Sequence, residues 1–152
     1  MGFEERLKEL GIELPPAPKP VASYVPVAVA GSLAFVAGQV AIVDGEVMYP
    51  GHVGTEVSLL EAQEAARRCA LQALSALREA LGTLDRLLRI AQVTVLVASA
   101  PGFTDQPKVA NGASDLLVEV MGDAGRHARI AAGVSELPLG APVEVAVVAE
   151  VM

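Results

Sequence analysis

Apolar positions divide this chain into a few helical stretches and several short alternating runs. Over residues 58–81, Ala62, Ala66, Cys69, Ala73, Leu77 and Leu81 recur at helical spacing. Ser58 and Glu61 stand at capping-box separation, and Gly82 follows where a helix would stop. The pattern predicts a long helix whose many alanines let its axis approach a sheet closely. Glu61, Glu64, Arg67, Arg68, Arg78 and Glu79 form the polar remainder and are expected to be a solvated face. A second helix is predicted over 106–121, after a break at Pro101-Gly102. A short one is predicted over 3–10, with Leu7 and Leu10 on one side and Gly11 at its end. It runs into ELPPAPKP, whose four prolines in eight residues imply an extended connector.

Alternation marks the strands. Two β-rich runs flank Gly31-Ser32, with Tyr24 in the first and Gly38-Gln39 closing the second, and Gly at the first turn position suits a two-residue hairpin. Pro26 lacks an amide hydrogen, which makes the first strand an edge or irregular. Val43-Asp-Gly-Glu46 suggests a smaller hairpin, and residues 88–98 a central strand. Strands over 128–135 and 143–151 close the chain as partners joined by the turn-rich 136–142 segment. The order β-β-(β)-α-β-α-β-β predicts an α+β fold, with one sheet and two helices packed on one face. In the last strand Val143, Val145, Val147, Ala149 and Val151 point one way, and Glu144, Ala146, Val148 and Glu150 the other. The second set mixes carboxylates with small apolar groups, as at a subunit interface with a polar pocket at its rim.

Composition narrows the function. A chain of 152 residues allows one domain, and 53% apolar content exceeds what a body of that size needs to bury. The excess points to an intersubunit face, and so to an oligomer. Net charge is −7, the basic residues are scattered, and the five aromatics form no stacking series, which argues against nucleic acid as the principal partner. Cys69, alone and inside the Ala/Leu-rich helix, is expected to be buried and inert. The N-terminal MGFEERLKEL lacks a signal peptide's apolar run, and no stretch is long enough to span a bilayer, so a soluble cytoplasmic protein without a membrane partner is expected.

No phosphate loop, dinucleotide fingerprint, HExxH or GxSxG occurs. His52 and His127, far apart in sequence, are expected to be ordinary polar side chains, and no metal site is expected. Arg129 and Glu144 remain, each at the start of a C-terminal strand. Two readings stay open: Arg129 holds a substrate carboxylate while Glu144 orients or deprotonates a water, or the two form a cross-strand salt bridge in a hairpin.

The ordered set of Tyr24, Gly38-Gln39, the Ala-rich helix, Asn111 and the motif ARxxxxVxxLPxxxxVE, from Ala128 to Glu144, resembles the RidA/YjgF family, also called L-PSP endoribonucleases. The resemblance covers about 24–151. It implies a chorismate-mutase-like homotrimer whose sheets form a central barrel, with helices outside and clefts between subunits. The division it suggests is an N-terminal helix and proline-rich connector over 1–20 and a RidA/YjgF-like domain over 21–152.

The implied reaction is hydrolysis of reactive 2-imino or enamine acids, of the 2-iminobutanoate or 2-iminopropanoate type, to 2-oxo acids and ammonia, with no cofactor. By position, Arg129 would clamp the substrate carboxylate, Glu144 would place the water, and Tyr24 would line the pocket from an adjoining subunit. Ala37, Gly38, Asn111 and the backbone at Ile130 and Ala131 would complete the substrate site. The chain departs from the family's deaminase pattern at Ala37, where Ser is frequent, and at Ala131, where Cys is frequent. A non-catalytic trimer binding small carboxylates is therefore a second expectation, and a ribonuclease a third.

Overall fold

The computed structural model describes residues 2–19 and 22–152; the connector's last proline, Pro20, and the expected boundary after it lie outside them. Helix α1 (Phe3–Leu10) ends at Gly11, whose positive φ of 68° lets its amide close the last turn. Its Leu7 joins the core, only 2% exposed. Strands β1 (Val27–Ala30) and β2 (Leu33–Val40) form the hairpin around Gly31-Ser32. Tyr24 precedes β1 rather than lying in it, because the strand begins only after Pro26. The small hairpin is β3 (Ile42–Val43) and β4 (Glu46–Val47), turned by Asp44 and Gly45, both at positive φ.

Helix α2 (Leu59–Leu81) starts from the full Ser58/Glu61 capping box and ends at Gly82. Strand β5 (Leu87–Ala98) leads to α3 (Gln106–Met121), β6 (Ala128–Val134) and β7 (Val143–Val151). Ala62, Ala65, Ala66, Ala70 and Ala73 on α2 are at most 1% exposed, so the helix lies close on its neighbours. Where α3 crosses it, a methyl group on Gly112 would overlap the Gln63 carbonyl oxygen, so the helices meet backbone to backbone there. Cys69 is fully buried among these residues, and burial raises its thiol pKa, as expected of an inert side chain.

The polar side of α2 differs from the solvated face expected of it. Arg68 donates to the Ile42 carbonyl, Arg78 forms a two-point pair with Glu4 of α1 at 3.0 and 2.7 Å, and Arg67 pairs with Glu119 of α3. Glu64 accepts from the Tyr49 hydroxyl. The face is used to bind α1, α3 and the β3–β4 hairpin to the body.

The main sheet is mixed, in the order β1-β2-β7-β5-β6, with the prolyl strand β1 at one edge and β6 at the other. Val93, Val95 and Val97 of β5 and Val143, Val145 and Val147 of β7 are at most 1% exposed and meet the helices. The alternation anticipated for β7 is present, with buried residues at every odd position.

The expected pairing of the last two strands is not. Strand β6 pairs parallel with β5, and β5 lies between β6 and β7. The β5–α3–β6 segment supplies the long crossover that a parallel pair requires. The 136–142 segment therefore spans a strand instead of closing a hairpin. Among the described residues, no helix is long and apolar enough to cross a membrane.

Candidate functional site

The expected site residues fall into two groups. The first gathers around an irregularity in β2. Between Val36 and Gln39 the β2–β7 register slips, so that β2 carries one residue more than its partner. Side chains fasten this bulge from behind. Gln39 Nε2 donates to the Ala37 carbonyl at 2.9 Å, and Gln72 of α2 donates to the Val40 carbonyl at 2.8 Å and to Gln39 Oε1 at 3.3 Å. Gln72 Oε1 accepts from the Ile42 amide at 2.9 Å.

Held this way, Gly38 rests against Glu144, and a methyl group added to it would overlap Glu144 Oε2. Glu144 is in register with Val40 on one side and Leu96 on the other, which puts it on the sheet face away from the helices. Burial raises its carboxyl pKa, and no hydrogen bond or cation among the described residues offsets that cost. A cavity of about 300 Å³ opens beside the bulge, lined by Tyr24, Ala37 and Gly38 together with Pro18, Lys19, Leu139 and others.

The second group lies at the far edge. Arg129 of β6 is in register with Val93, whose side chain is buried under the helices, so Arg129 shares the helix-side face. Its Nη1 donates to Asn111 Oδ1 at 2.8 Å and to Ser114 Oγ at 3.2 Å, both on α3. These use both Nη1 hydrogens. The parallel Nε–H and Nη2–H pair, the edge that suits a carboxylate, makes no hydrogen bond among the described residues. Ser114 and Arg129 line a shallow cavity of about 250 Å³ with Asp115, Val118, Arg126 and His127. Ala131 follows Arg129 on the same face and packs against the core, whereas Ile130 points to the opposite face, 50% exposed.

Arg129 and Glu144 thus stand on opposite faces with β5 between their strands, and the cross-strand salt bridge does not form. Sequence reasoning missed Ser114 and the bulge-fastening Gln72. The signals were present: Ser114 stands three residues after Asn111, one helical turn on, and Gly inside a strand pattern commonly marks a bulge. Among the described residues, no group of three or more His, Cys, Asp or Glu side chains stands together as metal ligands.

A mixed sheet with its long helices on one face, a mixed polar-apolar face opposite and an exposed arginine on its edge strand defines an α+β protein. The chain belongs to the family described as "YjgF/chorismate mutase-like, putative endoribonuclease", whose pattern matches residues 4–151. It is 47% identical over 140 residues to "Protein TCP17" of Trypanosoma cruzi, covering 91% of this chain and 88% of that one. Among solved structures, it is 41% identical to the protein Atu1372, of unknown function, from Agrobacterium tumefaciens, with a TM-score of 0.89 over 98% of this chain and 91% of that one. A "putative endoribonuclease" from Shewanella oneidensis is 32% identical, with a TM-score of 0.94 over 99% of this chain and all of the other.

Proposed function

We propose that this chain is a RidA-like deaminase, hydrolysing reactive 2-imino or enamine acids to 2-oxo acids and ammonia in clefts between the subunits of a homotrimer. The observation that carries the reading is Arg129, whose Nη1 is tied back to α3 while its Nε/Nη2 edge is left for a carboxylate. In one chain this edge and Glu144 stand on opposite faces, so a cleft using both takes them from different copies. The apolar character of the face bearing Glu144, with Leu33 36% and Phe35 43% exposed, supports its burial against another subunit.

In the proposed cleft, Arg129 of one subunit holds the substrate carboxylate, and Tyr24 and Glu144 of the next enclose the imine. Glu144, made more basic by burial, takes a proton from water as the water oxygen bonds to C2. The protonated imine thereby becomes a carbinolamine, whose nitrogen takes the proton back from Glu144 and leaves as ammonia while the C2 hydroxyl gives its own proton to Glu144, and the 2-oxo acid remains. No step calls for a cofactor. Imine hydrolysis is intrinsically easy, so an oriented anion and one placed water supply what the reaction needs.

Ala37 and Ala131 favour a second reading, a non-catalytic binder of small carboxylates, since neither brings a polar side chain to the cleft. The acidic composition weighs against the ribonuclease reading.

The test generates 2-iminobutanoate with a threonine dehydratase and traps it with semicarbazide. The protein should lower the trapped fraction, and Arg129→Ala should lower kcat/KM by about 100-fold, as expected when a charged two-point contact is lost. No effect of the wild-type protein would refute the catalytic reading. Calorimetric binding of 2-oxobutanoate without turnover would establish the second reading. Light scattering after gel filtration reads the oligomer, and a stable monomer would refute the intersubunit cleft.

A further inference from the structure

We propose that Ser114 and His127 are positioning residues that set the carboxylate-binding edge of Arg129 through a directional hydrogen-bond relay. The inference rests on the reading of Arg129 as a carboxylate clamp. The relay begins at a backbone carbonyl. His127 Nδ1 lies 2.6 Å from the Gly125 carbonyl oxygen, which can only accept, so Nδ1 carries the proton. In the neutral ring Nε2 is then an acceptor, and it lies 2.9 Å from Ser114 Oγ, which donates to it. With its one hydrogen committed, Ser114 Oγ offers lone pairs, and one accepts from Arg129 Nη1 at 3.2 Å. Each partner settles the role of the next.

The start of the relay is rigid for a steric reason. Gly125 sits directly on α3, where a methyl group would overlap the Leu117 carbonyl oxygen. The carbonyl that sets the His127 tautomer is therefore held against the helix that carries Ser114 and Asn111. Two acceptors on one helix turn, Asn111 Oδ1 and Ser114 Oγ, fix both Nη1 hydrogens and with them the guanidinium plane. A free arginine side chain loses rotamer entropy each time it binds an anion; one already pinned loses less, so binding tightens.

A serine donating to a histidine Nε2 also has the outline of an activated nucleophile. Here the serine oxygen already accepts from a cation, which draws density from it and opposes attack. Positioning is the role the geometry supports.

The experiment compares Ser114→Ala, Ser114→Thr, His127→Phe and Arg129→Ala. Calorimetry reads 2-oxobutanoate binding, trapping kinetics separate KM from kcat, and nitrogen relaxation of the Arg129 Nε–H reads side-chain order without any ligand. Ser114→Ala and His127→Phe should each weaken binding and raise KM about 10-fold, as expected for one hydrogen bond to a charged group, with kcat changed less than about twofold. Arg129 order should fall towards that of an arginine without such hydrogen bonds, and Ser114→Thr, which keeps the hydroxyl, should restore both.

Wild-type affinity and unchanged Arg129 order in Ser114→Ala would overturn the relay, whether or not His127→Phe folds. If Arg129→Ala itself left binding and turnover intact, the clamp reading would fail instead. The relaxation measurement would still decide whether Ser114 and His127 hold this guanidinium.

Discussion

Replacing Gln72 by Leu tests the bulge that brings Gly38 to Glu144. Gln72 is 6% exposed, and its amide group pairs with two backbone groups, the Val40 carbonyl and the Ile42 amide, besides Gln39 Oε1. Leu has a similar volume but offers neither a donor nor an acceptor. The substitution leaves two backbone groups without partners at a buried position bordering the cavity beside the bulge. An unsatisfied buried group costs about 1–3 kcal/mol, so two of them imply about 2–5 kcal/mol after partial relaxation, less about 1 kcal/mol for the added apolar burial.

For a domain of this size, a net loss near 3 kcal/mol corresponds to a fall in Tm of roughly 6–12 °C. The assay is urea unfolding at several protein concentrations, because association would add to apparent stability. Gln63→Leu is the control: Gln63 also donates to a backbone carbonyl, that of Lys108 at 2.9 Å, but at an exposed position where water can replace it. It should cost less than about 1 kcal/mol. Equal effects of the two substitutions would refute the argument, since water would then be reaching the bulge and Gln72 would not be what holds it.

Two further outcomes follow from the same geometry. Gly38→Ala places a methyl group against Glu144 Oε2 at a position whose φ is not positive, so it should displace the carboxylate without backbone strain. The expected result is a roughly 10- to 100-fold loss of deaminase kcat/KM with the urea midpoint nearly unchanged, and unaltered activity would contradict the role given to Glu144. His52 lies 2.9 Å from the Ser135 carbonyl, 3.5 Å from Glu56 and 3.1 Å from Glu136, and these partners, the carbonyl first, raise its pKa above 6.5. Its contribution to stability is fully present below the unfolded value and is lost as pH rises through the folded one, so the advantage of wild type over His52→Gln should shrink from pH 5.5 to pH 8.5. A constant advantage in urea midpoints across that interval would show that protonated His52 does not join the 52–57 loop to the end of β6.

What was legible in the sequence was what neighbours along the chain decide. Ser58 with Glu61, Gly82, Gly11, the Gly31-Ser32 turn and the Asp44-Gly45 turn set element ends, because capping and turn formation depend on groups a few residues apart. Alternation through β7 likewise sorted its two faces, Glu144 among the less buried positions. The family motif from Ala128 to Glu144 is a matter of spacing and needed no coordinates.

Tertiary structure alone decided strand order. Nothing in the spacing of Arg129 and Glu144 says that β5 inserts between their strands, though a helix between two β-runs was a hint of a parallel crossover. That insertion, with alternating side-chain directions, is why two residues expected to meet stand on opposite faces. Partners far apart in sequence were equally invisible: Gln72 with Val40 and Ile42, and Arg78 with Glu4. Local signals set where each element begins and ends and which side is apolar. Which elements become neighbours follows from how all the apolar faces are buried at once, and no segment encodes that by itself.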